Sequence, residues 1–582
     1  MSTGTVIFDC ETYLNYFCCA FYNPQKDKNR LIKIKDNETL SKEDRLLVLT
    51  LIKRNFSFVG FNCIDFDIPV LRYALQDGII ANDIYKMATD VITNGLKAFQ
   101  TEKKYSIKTP WPNNTPIIDL FNVAPGVKES LKKYGARMHT VTMQDLPYTP
   151  ETVLTDLQIE KVEKYCFNDV RVTYELYLRL QNEIELRENV SKEYGLDLHA
   201  KTDAQIAEAI FKKELNLTKP KKQLKLTRLE PLVMPEFLKN KFKELDNLIN
   251  QIESTQIPIS DSGSPQIPKS LQRELQLDNK LYKLGIGGLH SVDFPGVYKD
   301  LVDVDVTSYY PSIIVNNHYA PKHLGDRFFL LYKSIIDRRI EAKNTGDKTT
   351  SDSLKIVING TYGKLGSPYS ALYAPDMMLQ VTFVGQLSLI LLMMMMVEKG
   401  ISIISANTDG VLLQNHENII NVCKKWEEIT QFNLESTHYK RACFRDVNNY
   451  FAVTSKGKLK TKGIFETGTL RKNPHFDCVV KAMIDGDIEN IIGNAPIKDL
   501  VKCVAVRGGA QYKCNYIGKV VRFVWVKNGA PITYVKSGNK VPESDNCYPV
   551  MNYDEVDLKT LDIDYDRYIK EAYKLKEEIT NV

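Results

Sequence analysis

The sequence predicts a multidomain protein of the α/β and α+β classes, and three observations lead to that prediction. The chain has 582 residues, which is more than a single hydrophobic core supports. Residues 1–197, and again residues 301–465, alternate between short apolar runs typical of strands and amphipathic stretches typical of helices. Residues 198–300 are mixed, with a Lys/Pro-rich stretch at 219–225 and a polar loop at 260–268. We expect that loop to be a flexible joint before the second alternating region.

Composition narrows the class of protein. The chain is 43% hydrophobic and 26% charged, as expected of a globular protein. Its net charge is only +5, so any contact with nucleic acid must come from local basic patches. Eleven cysteines are scattered without a C-x-x-C pair, which favours reduced thiols in a cytosol and argues against a disulfide framework or a zinc module. No secretion signal is expected, because the chain runs straight into a predicted strand.

Residues 379–397 are apolar enough to imitate a membrane span. Gln380, Gln386 and Ser388 interrupt the run, and Gly385 lies at its centre. We interpret it as a buried helix, so no membrane contact is expected.

Acidic residues near the start of the chain predict a metal site. Asp9 and Glu11 lie two apart in a short apolar run, so a strand places both on one side. Two adjacent carboxylates repel, and a divalent cation between them is the usual compensation. Asn62 and Asp67 then occur together in a Gly-Phe-Asn-Cys-Ile-Asp-Phe-Asp stretch. An ordinary pair of acids at a strand end is the alternative for each motif alone.

A third motif follows on a helix predicted at residues 156–180. Tyr165 and Asp169 lie four residues apart and therefore share a helix face. The three motifs in this order resemble the RNase-H-like 3′→5′ proofreading exonuclease of DNA polymerases. The resemblance implies two Mg²⁺ (or Mn²⁺) ions held by four carboxylates, a tyrosine that orients the attacking water, and a DNA-contacting amide: Asp9, Glu11, Asp67 and Asp169, with Tyr165 and Asn62. Nearby Asp65 and Asp119 are expected in solvent or at helix caps, and Lys132 and Lys133 on a solvated helix face.

A second constellation begins at residues 304–314. Asp305 is a lone carboxylate in a Val-rich run, which is costly unless a cation or partner compensates it. The run continues through Ser308, Tyr310 and Pro311. It resembles motif A of the B-family DNA polymerases, D-x-x-S-x-Y-P-S-I-I, in which the Asp binds metal and the Tyr excludes a ribose 2′-hydroxyl. An ordinary core tyrosine is the alternative at position 310.

Two further predicted helices present cations to a common gap. The first carries Arg339 and Lys343 four apart, and the second carries Lys355, Asn359 and Tyr362 on one face. Such an arrangement suits a polyanionic triphosphate. The second helix resembles motif B of the same family, K-x-x-x-N-S-x-Y-G.

The third polymerase motif departs from the family pattern. The family usually shows Y-G-D-T-D-S, whereas this predicted hairpin has Ser405 for Tyr, Asn407 for the first Asp and Gly410 for Ser. Asp409 aligns with the second Asp, and in motif B Gly360 replaces Ser. We expect the carboxylates of motifs A and C to hold two cations, with Asn407 offering a neutral oxygen or none.

Weaker matches complete the pattern. Gly287 and Gly288 resemble a template-contacting Y-x-G-G segment, although Gly285 replaces the Tyr and a plain β-turn is a rival interpretation. Tyr450 and Lys462 resemble elements that grip primer–template DNA. The implied polymerase-site residues are metal-binding and catalytic Asp305 and Asp409; nucleotide-binding Ser308, Tyr310, Arg339, Lys343, Lys355 and Asn359; and DNA-binding Gly287, Gly288, Tyr362, Gly363, Tyr450 and Lys462.

The resemblance implies a right-handed polymerase following an exonuclease. The predicted domains are an RNase-H-like exonuclease at 1–197, a connecting region and start of the palm at 198–300, palm at 301–325, fingers at 326–365, palm again at 366–465 and thumb at 466–582.

The implied function is DNA synthesis from a primer 3′-end with proofreading, for replication of phage DNA. The implied cofactors are two Mg²⁺ (or Mn²⁺) ions at each site, and the implied partners are primer–template DNA and dNTPs, with phage accessory proteins an open question. We expect a monomer in the cytoplasm of an infected host. An exonuclease with an impaired polymerase half, and a non-catalytic DNA-binding protein, are the alternatives. Short gaps between motifs A, B and C leave no room for the insertions of protein-primed relatives, so an RNA or DNA primer is expected.

Overall fold

A computed structural model describes residues 4–580 except 113–114, 127, 218–226, 273, 286 and 293–294. The Lys/Pro-rich stretch at 219–225 lies outside the described residues. The chain forms two compact units. The first comprises Met1–Thr202 and Thr467–Tyr573, and the second comprises Asp203–Glu466 and Lys574–Val582.

The amino-terminal part of the first unit is built on a five-stranded sheet. Its strands are β1 (Thr5–Tyr13), β2 (Tyr16–Asn23), β3 (Lys28–Lys35), β4 (Ser57–Gly60) and β5 (Ile117–Asp119). Their order is β3-β2-β1-β4-β5; β2 is antiparallel to both of its neighbours, β1 and β3, and β4 and β5 are parallel to β1. Strand β1 is therefore central, and both of its faces are covered.

Helices pack on both faces of this sheet. They are α1 (Lys42–Lys53), α2 (Asp67–Ala74), α3 (Ala81–Asn94), α4 (Ala98–Lys104), α5 (Leu120–Val123), α6 (Leu131–Arg137), α7 (Asp156–Arg179) and α8 (Gln181–Tyr194). The alternation along β1 separates two cores: Val6 and Phe8 belong to one, and Ile7 and Tyr13 belong to the other, which includes buried residues of α7. Because strand side chains alternate, Asp9 and Glu11 share the face of Ile7 and Tyr13.

The second unit contains a nine-stranded antiparallel sheet and seven α-helices among its described residues. The strands are β6 (Glu274–Leu277), β7 (Lys280–Lys283), β8 (His290–Ser291), β9 (Gly296–Val306), β10 (Ile403–Asn407), β11 (Gly410–Gln414), β12 (Leu434–Asp446), β13 (Asn449–Thr454) and β14 (Leu459–Lys462), in the order β14-β13-β12-β9-β11-β10-β8-β7-β6. The helices are α9 (Asp203–Glu214), α10 (Lys243–Ser254), α11 (Tyr309–Asn316), α12 (Asp326–Thr345), α13 (Lys348–Leu365), α14 (Pro375–Glu398) and α15 (Ile419–Thr430).

Helix α14 is the apolar segment that imitates a membrane span. Its most apolar 18-residue window has a mean hydropathy of 1.9, and 89% of that window is buried within the protein. Trp426 of α15 donates its indole N–H to the carbonyl of Ser388, 2.9 Å away. The prediction of a buried helix is confirmed.

The loop at residues 260–268 is not the boundary that the sequence predicted. The compact units divide at Thr202 and Asp203, so the loop lies inside the second unit. Tyr373 donates a hydrogen bond to the carbonyl of Gly263 at 2.6 Å, and Pro368 packs against the same glycine. The expectation of a joint here was wrong, because loop composition alone does not show which loops are anchored by later segments.

The carboxyl-terminal part returns to the first unit. It contains α16 (Pro474–Asp485), α17 (Ile488–Gly493), and a sheet of β15 (Lys502–Tyr512), β16 (Asn515–Ala530), β17 (Ile532–Tyr534) and β18 (Cys547–Pro549), followed by α18 (Tyr565–Thr580), whose residues after Tyr573 belong to the second unit. The sheet order is β17-β15-β16-β18. Arg522 is fully buried and donates to the carbonyls of Thr140, Val141, Val550 and Met551. It thereby ties the loop after α6 to this sheet.

Candidate active sites

The first candidate site is an acidic cluster between β1 and α7. Carboxylate oxygens of Asp9, Glu11 and Asp169 all lie within 4.8 Å of one another. Strand alternation presents the first two, and one face of α7 presents the third. Hard oxygen ligands at this spacing suit a divalent cation such as Mg²⁺ or Mn²⁺.

Asp67 is the fourth predicted ligand, and it borders this cluster. It is the first residue of α2, is 5% exposed, and accepts a hydrogen bond from the backbone N–H of Cys10 at 3.0 Å. Burial, and then the charges of Asp67, Glu11 and Asp169, raise the pKa of Asp9 well above its usual value. Burial likewise raises the pKa of Asp67, to about 7. Such crowding of carboxylates is what a bound cation relieves.

Tyr165 lies in the same cluster. It is buried on α7 and hydrogen-bonds the carboxylate of Asp169, four residues further along the helix. Burial raises the pKa of Tyr165, so its hydroxyl stays protonated and can donate.

Lys132 was predicted on a solvated helix face, and that prediction was wrong. Its side chain is 22% exposed, its Nζ lies 4.7 Å from the ring centroid of Tyr165, and it forms an ion pair with Asp145 at 3.1 Å. Its charge lowers the pKa of Glu11 and Asp169, against the raising effect of burial. Sequence spacing gave no signal for this, because the α6 lysine meets the cluster only through the fold.

Neighbouring acids serve as caps, as predicted. Asp119 is buried and accepts from the backbone N–H groups of Asn62 at 2.7 Å and Phe121 at 3.1 Å. Asp65 accepts from the N–H of Ala98 at the start of α4. The Asp119 contact holds Asn62, an exposed residue with a φ of +58°, in the loop after β4.

The second candidate site lies on the central strands of the nine-stranded sheet. Asp305 on β9 pairs with Gly410 at the start of β11, and the N–H of Val306 donates to the carbonyl of Asp409 at 2.7 Å. A side chain at position 410 would collide with the Asp305 carboxylate, so glycine is required there. Burial, and then the carboxylate of Asp303, raise the pKa of Asp305 to about 7. Burial also raises the pKa of Asp409, and Lys462 opposes it.

Asp305 and Asp409 line two cavities at once. One cavity, of about 500 Å³, is also lined by six residues that the sequence assigned to nucleotide binding and by one assigned to DNA: Ser308, Tyr310, Arg339, Lys343, Lys355, Asn359 and Tyr362. The other, of about 440 Å³, is also lined by Asn407, Tyr450, Lys460 and Lys462. The two carboxylates therefore lie where both cavities meet, and they offer oxygen ligands to a divalent cation.

The floor of the first cavity is aromatic. Tyr310 and Tyr362 stack with ring centroids 4.4 Å apart and an interplanar angle of 28°. Tyr362 is held by a 2.7 Å hydrogen bond with Thr382 of α14. Gly385 packs within 3.5 Å of the Tyr310 ring at its missing Cβ position, so α14 can approach closely.

Cations from α12 and α13 face the carboxylates in this cavity. Arg339 donates to the hydroxyl of Ser308 at 3.1 Å, and Ser308 holds a strained φ of +50° at the start of α11. Lys343 pairs with Glu435 at 3.3 Å, opposite Asp305 on β12. Lys355 and Asn359 are exposed on α13, and the Cβ position of Gly363 opens to free space.

Gly360 replaces the motif B serine for a packing reason. Its missing Cβ would lie 2.5 Å from the carbonyl oxygen of Asp203 and 3.0 Å from Ala207. Helix α9 therefore lies directly against α13.

Asn407 ends the first strand of the β10–β11 hairpin, and the segment with Gly287 and Gly288 packs against the hairpin turn. Asn407 donates its side-chain N–H to the carbonyl of Val447 at 3.2 Å and accepts from the Thr408 hydroxyl. The Cβ position of Gly288 lies 2.7 Å from Cα of Thr408, whereas that of Gly287 is open.

Lys460 and Asp303 were not assigned by the sequence. Asp303 is buried and accepts from Tyr439 at 2.8 Å and Lys460 at 3.2 Å. The charge of Lys460 opposes the rise in the pKa of Asp305. Period-two spacing with Lys462 on a strand was a usable signal for Lys460.

Sequence comparison finds partial similarity to curated DNA polymerases. The chain is 23% identical to DNA polymerase 2 of Saccharolobus solfataricus over 336 residues, covering 54% of this chain and 51% of that protein. It is 34% identical to DNA polymerase 1 of the same organism over 133 residues, covering 21% and 14%. The chain is similar to archaeal DNA polymerases. DNA polymerase 1 of Sulfolobus acidocaldarius matches at 29% identity over 249 residues, covering 34% and 27%.

The coverage of these similarities is partial. The chain spans about half the length, or less, of the curated relatives it matches. No protein-family profile matches it. Among solved structures, the family B DNA polymerase of Pyrobaculum calidifontis aligns with a TM-score of 0.41 and 14% identity, covering 99% of this chain and 78% of that one.

Proposed function

We propose that this chain is a DNA-directed DNA polymerase of the B family, extending a primer 3′-end with dNTPs, and that residues 1–197 form a 3′→5′ exonuclease. The observation that carries the proposal is the placement of Asp305 and Asp409 where two cavities meet. One cavity has the cations a triphosphate requires, and the other has Lys460 and Lys462 for a nucleic-acid backbone. Phosphoryl transfer needs little from a protein beyond this positioning and charge stabilisation.

The nucleotide fits the cavity with the aromatic floor. Arg339, Lys343 and Lys355 bind the triphosphate, with Arg forking onto oxygens and Lys acting as a point charge. Tyr310, stiffened by stacking on Tyr362, supports the deoxyribose and leaves no room for a 2′-hydroxyl.

Divalent cations held at the two sites would supply the remaining positive charge, activating the attacking oxygen and stabilising the leaving one. Asp305 and Asp409 would hold them at the polymerase site. Asp303, a third carboxylate close to Asp305 and Asp409, is neutralised instead by its hydrogen bond from Lys460.

The exonuclease proposal rests on the first acidic cluster. The strand order β3-β2-β1-β4-β5 is the arrangement an RNase-H-like nuclease needs, and it supports that assignment. Asp9, Glu11, Asp67 and Asp169 would be the ligands. Tyr165, whose hydroxyl is kept protonated, orients the attacking water.

The wider role follows from the same assignment. We place the palm on the nine-stranded sheet, the fingers on α12 and α13, and the thumb on the carboxyl-terminal sheet. Synthesis would start from an RNA or DNA primer, and the setting would be phage DNA replication in the host cytoplasm by a monomer.

Asn407 favours a second candidate, an exonuclease whose polymerase half is inactive. A neutral amide replaces one expected carboxylate, and its N–H is used by the Val447 carbonyl. This candidate predicts degradation of DNA without extension.

The test is an assay of extension and degradation with matched and mismatched primers in Mg²⁺. Asp305→Asn should lower extension by at least about 100-fold and leave degradation intact, and Asp9→Asn should do the reverse. Asp337→Asn, at an exposed surface ion pair on α12, is the matched control and should change neither. Loss of both activities in either variant, or extension that survives Asp305→Asn, would overturn the proposal; degradation without any extension would favour the second candidate.

A further inference from the structure

We infer that Tyr516, on the β15–β16 hairpin, is a positioning residue that sets Lys132 in the first acidic cluster through Asp145. The inference rests on the proposed exonuclease. It assigns the carboxyl-terminal sheet a role in that activity, because the hydroxyl of Tyr516 reaches Asp145 and Asp145 pairs with Lys132.

The hairpin holds Tyr516 in a specific place. Its two turn residues, Lys513 and Cys514, have φ angles of +48° and +65°, which non-glycine residues seldom adopt. Tyr516 lies two residues beyond the turn, and its ring packs over Gly509, whose missing Cβ would lie 2.6 Å from Cε2 of the ring. Gly509 has a φ of +93°, so a side chain there would be both strained and in collision. Positive φ at both turn residues is the usual geometry of a two-residue β-hairpin, so the turn fixes the register that places Tyr516.

The contacts of Asp145 link the two regions. The Tyr516 hydroxyl donates to one carboxylate oxygen, and Lys132 lies 3.1 Å from the other. The Asp145 side chain is only 12% exposed. Burial acts to raise the pKa of Asp145, but the hydrogen bond from Tyr516 and the charge of Lys132 outweigh it and lower that pKa. Both partners therefore stabilise the ionised carboxylate.

The backbone that carries Asp145 is fixed to the same sheet. Arg522 donates to the carbonyl of Val141 at 3.2 Å, and the N–H of Met143 donates to the carbonyl of Met551 at 2.7 Å. Because the loop is held at several points, the orientation of the Asp145 side chain depends mainly on its polar partners: Tyr516, Lys132 and the backbone N–H of Leu146. Removing the Tyr516 hydroxyl leaves Lys132 as the side-chain partner of that carboxylate.

Lys132 is the group through which Tyr516 and Asp145 would affect cleavage. Its Nζ lies 4.7 Å from the ring centroid of Tyr165, and its charge acts on Glu11 and Asp169. A cation in this place can stabilise negative charge that develops on a phosphodiester, provided that its position is fixed. Tyr516 is therefore expected to affect the rate of cleavage rather than the affinity for DNA.

The experiment compares Tyr516→Phe with Tyr573→Phe in the full chain. Tyr573 also donates its hydroxyl to a carboxylate in the same unit, that of Glu489, and serves as the matched control. With single-stranded DNA and Mg²⁺, Tyr516→Phe should lower kcat for degradation by about threefold to tenfold and leave KM and the primer-extension rate within about twofold. In a Lys132→Ala background, Tyr516→Phe should have no further effect, since Tyr516 is proposed to act only through Lys132.

The outcomes separate this inference from the exonuclease assignment. Degradation by the wild type that Tyr516→Phe leaves unchanged would overturn the inference alone. A change in KM without kcat, or an effect that adds to that of Lys132→Ala, would also overturn it. If the wild type releases no nucleotide, the exonuclease assignment fails and the inference fails with it. An equal loss in Tyr573→Phe would show a general effect on folding and overturn the inference as well.

Discussion

Replacing Asp67 by Asn should stabilise the metal-free protein at neutral pH. Asp67 is 5% exposed, and burial raises its pKa to about 7, with a contribution from Asp119 and opposition from the Cys10 N–H. An unfolded Asp titrates near pH 3.9. Between those two pH values Asp67 is protonated in the folded state and ionised in the unfolded state. Its contribution to folding stability is therefore fully present below about pH 4 and is lost as the pH rises through about 7.

The magnitude follows from the size of that shift. A difference of about three pKa units corresponds to about 4 kcal/mol at neutral pH, as an upper bound. Asn cannot ionise, and its carbonyl can still accept from Cys10. We therefore expect Asp67→Asn to raise the free energy of unfolding in EDTA by about 2–4 kcal/mol near pH 7.5, with little change near pH 4.

Urea unfolding at both pH values measures this, with Asp77→Asn as a control at a 94%-exposed carboxylate. Added Mn²⁺ should stabilise the wild type near pH 7.5 and the Asp67→Asn variant much less, because a ligand is lost. The reasoning is refuted if the difference in free energy of unfolding between Asp67→Asn and the wild type is the same near pH 4 and near pH 7.5, or if Asp67→Asn is destabilising at the higher pH.

Three further substitutions test packing around the sites. Gly360→Ser should lower the free energy of unfolding by about 1–3 kcal/mol in urea titrations, because its Cβ meets the Asp203 carbonyl; an unchanged midpoint would contradict the close approach of α9. Gly410→Ala should abolish primer extension and leave degradation at the wild-type rate, because the methyl group collides with Asp305; normal extension would refute the β9–β11 register. Arg522→Met should cost about 3–5 kcal/mol by denaturant unfolding, since four buried or partly buried carbonyls lose their donor; a loss under about 1 kcal/mol would argue against that anchoring role.

Local periodicity was the useful part of the sequence. A spacing of two on a strand put Asp9 and Glu11 on one face, and the structure brings them within 4.8 Å of Asp169. The helix predicted at 156–180 is α7 (Asp156–Arg179), because an amphipathic pattern fixes a helix to within a few residues. The D-G turn signal placed Asp409 and Gly410 at a hairpin, where β10 ends and β11 begins.

What the sequence missed depends on contacts between distant segments. The residue pattern of α6 predicts that Lys132 is exposed. It is largely buried because α7 and the loop that carries Asp145 pack against it. The joint expected at 260–268 is pinned by Tyr373, more than a hundred residues later. The return of residues 467–573 to the first unit leaves no local trace either, since it depends on an anchor such as Arg522. Local patterns do not contain such pairings.

The central claim is that two sets of carboxylates, distant along the chain, each bind divalent cations. An anomalous difference map from crystals soaked in Mn²⁺ tests it directly. We predict one set of peaks bounded by Asp9, Glu11 and Asp169 and another bounded by Asp305 and Asp409. Peaks elsewhere, with none beside Asp305 and Asp409, would contradict the polymerase assignment.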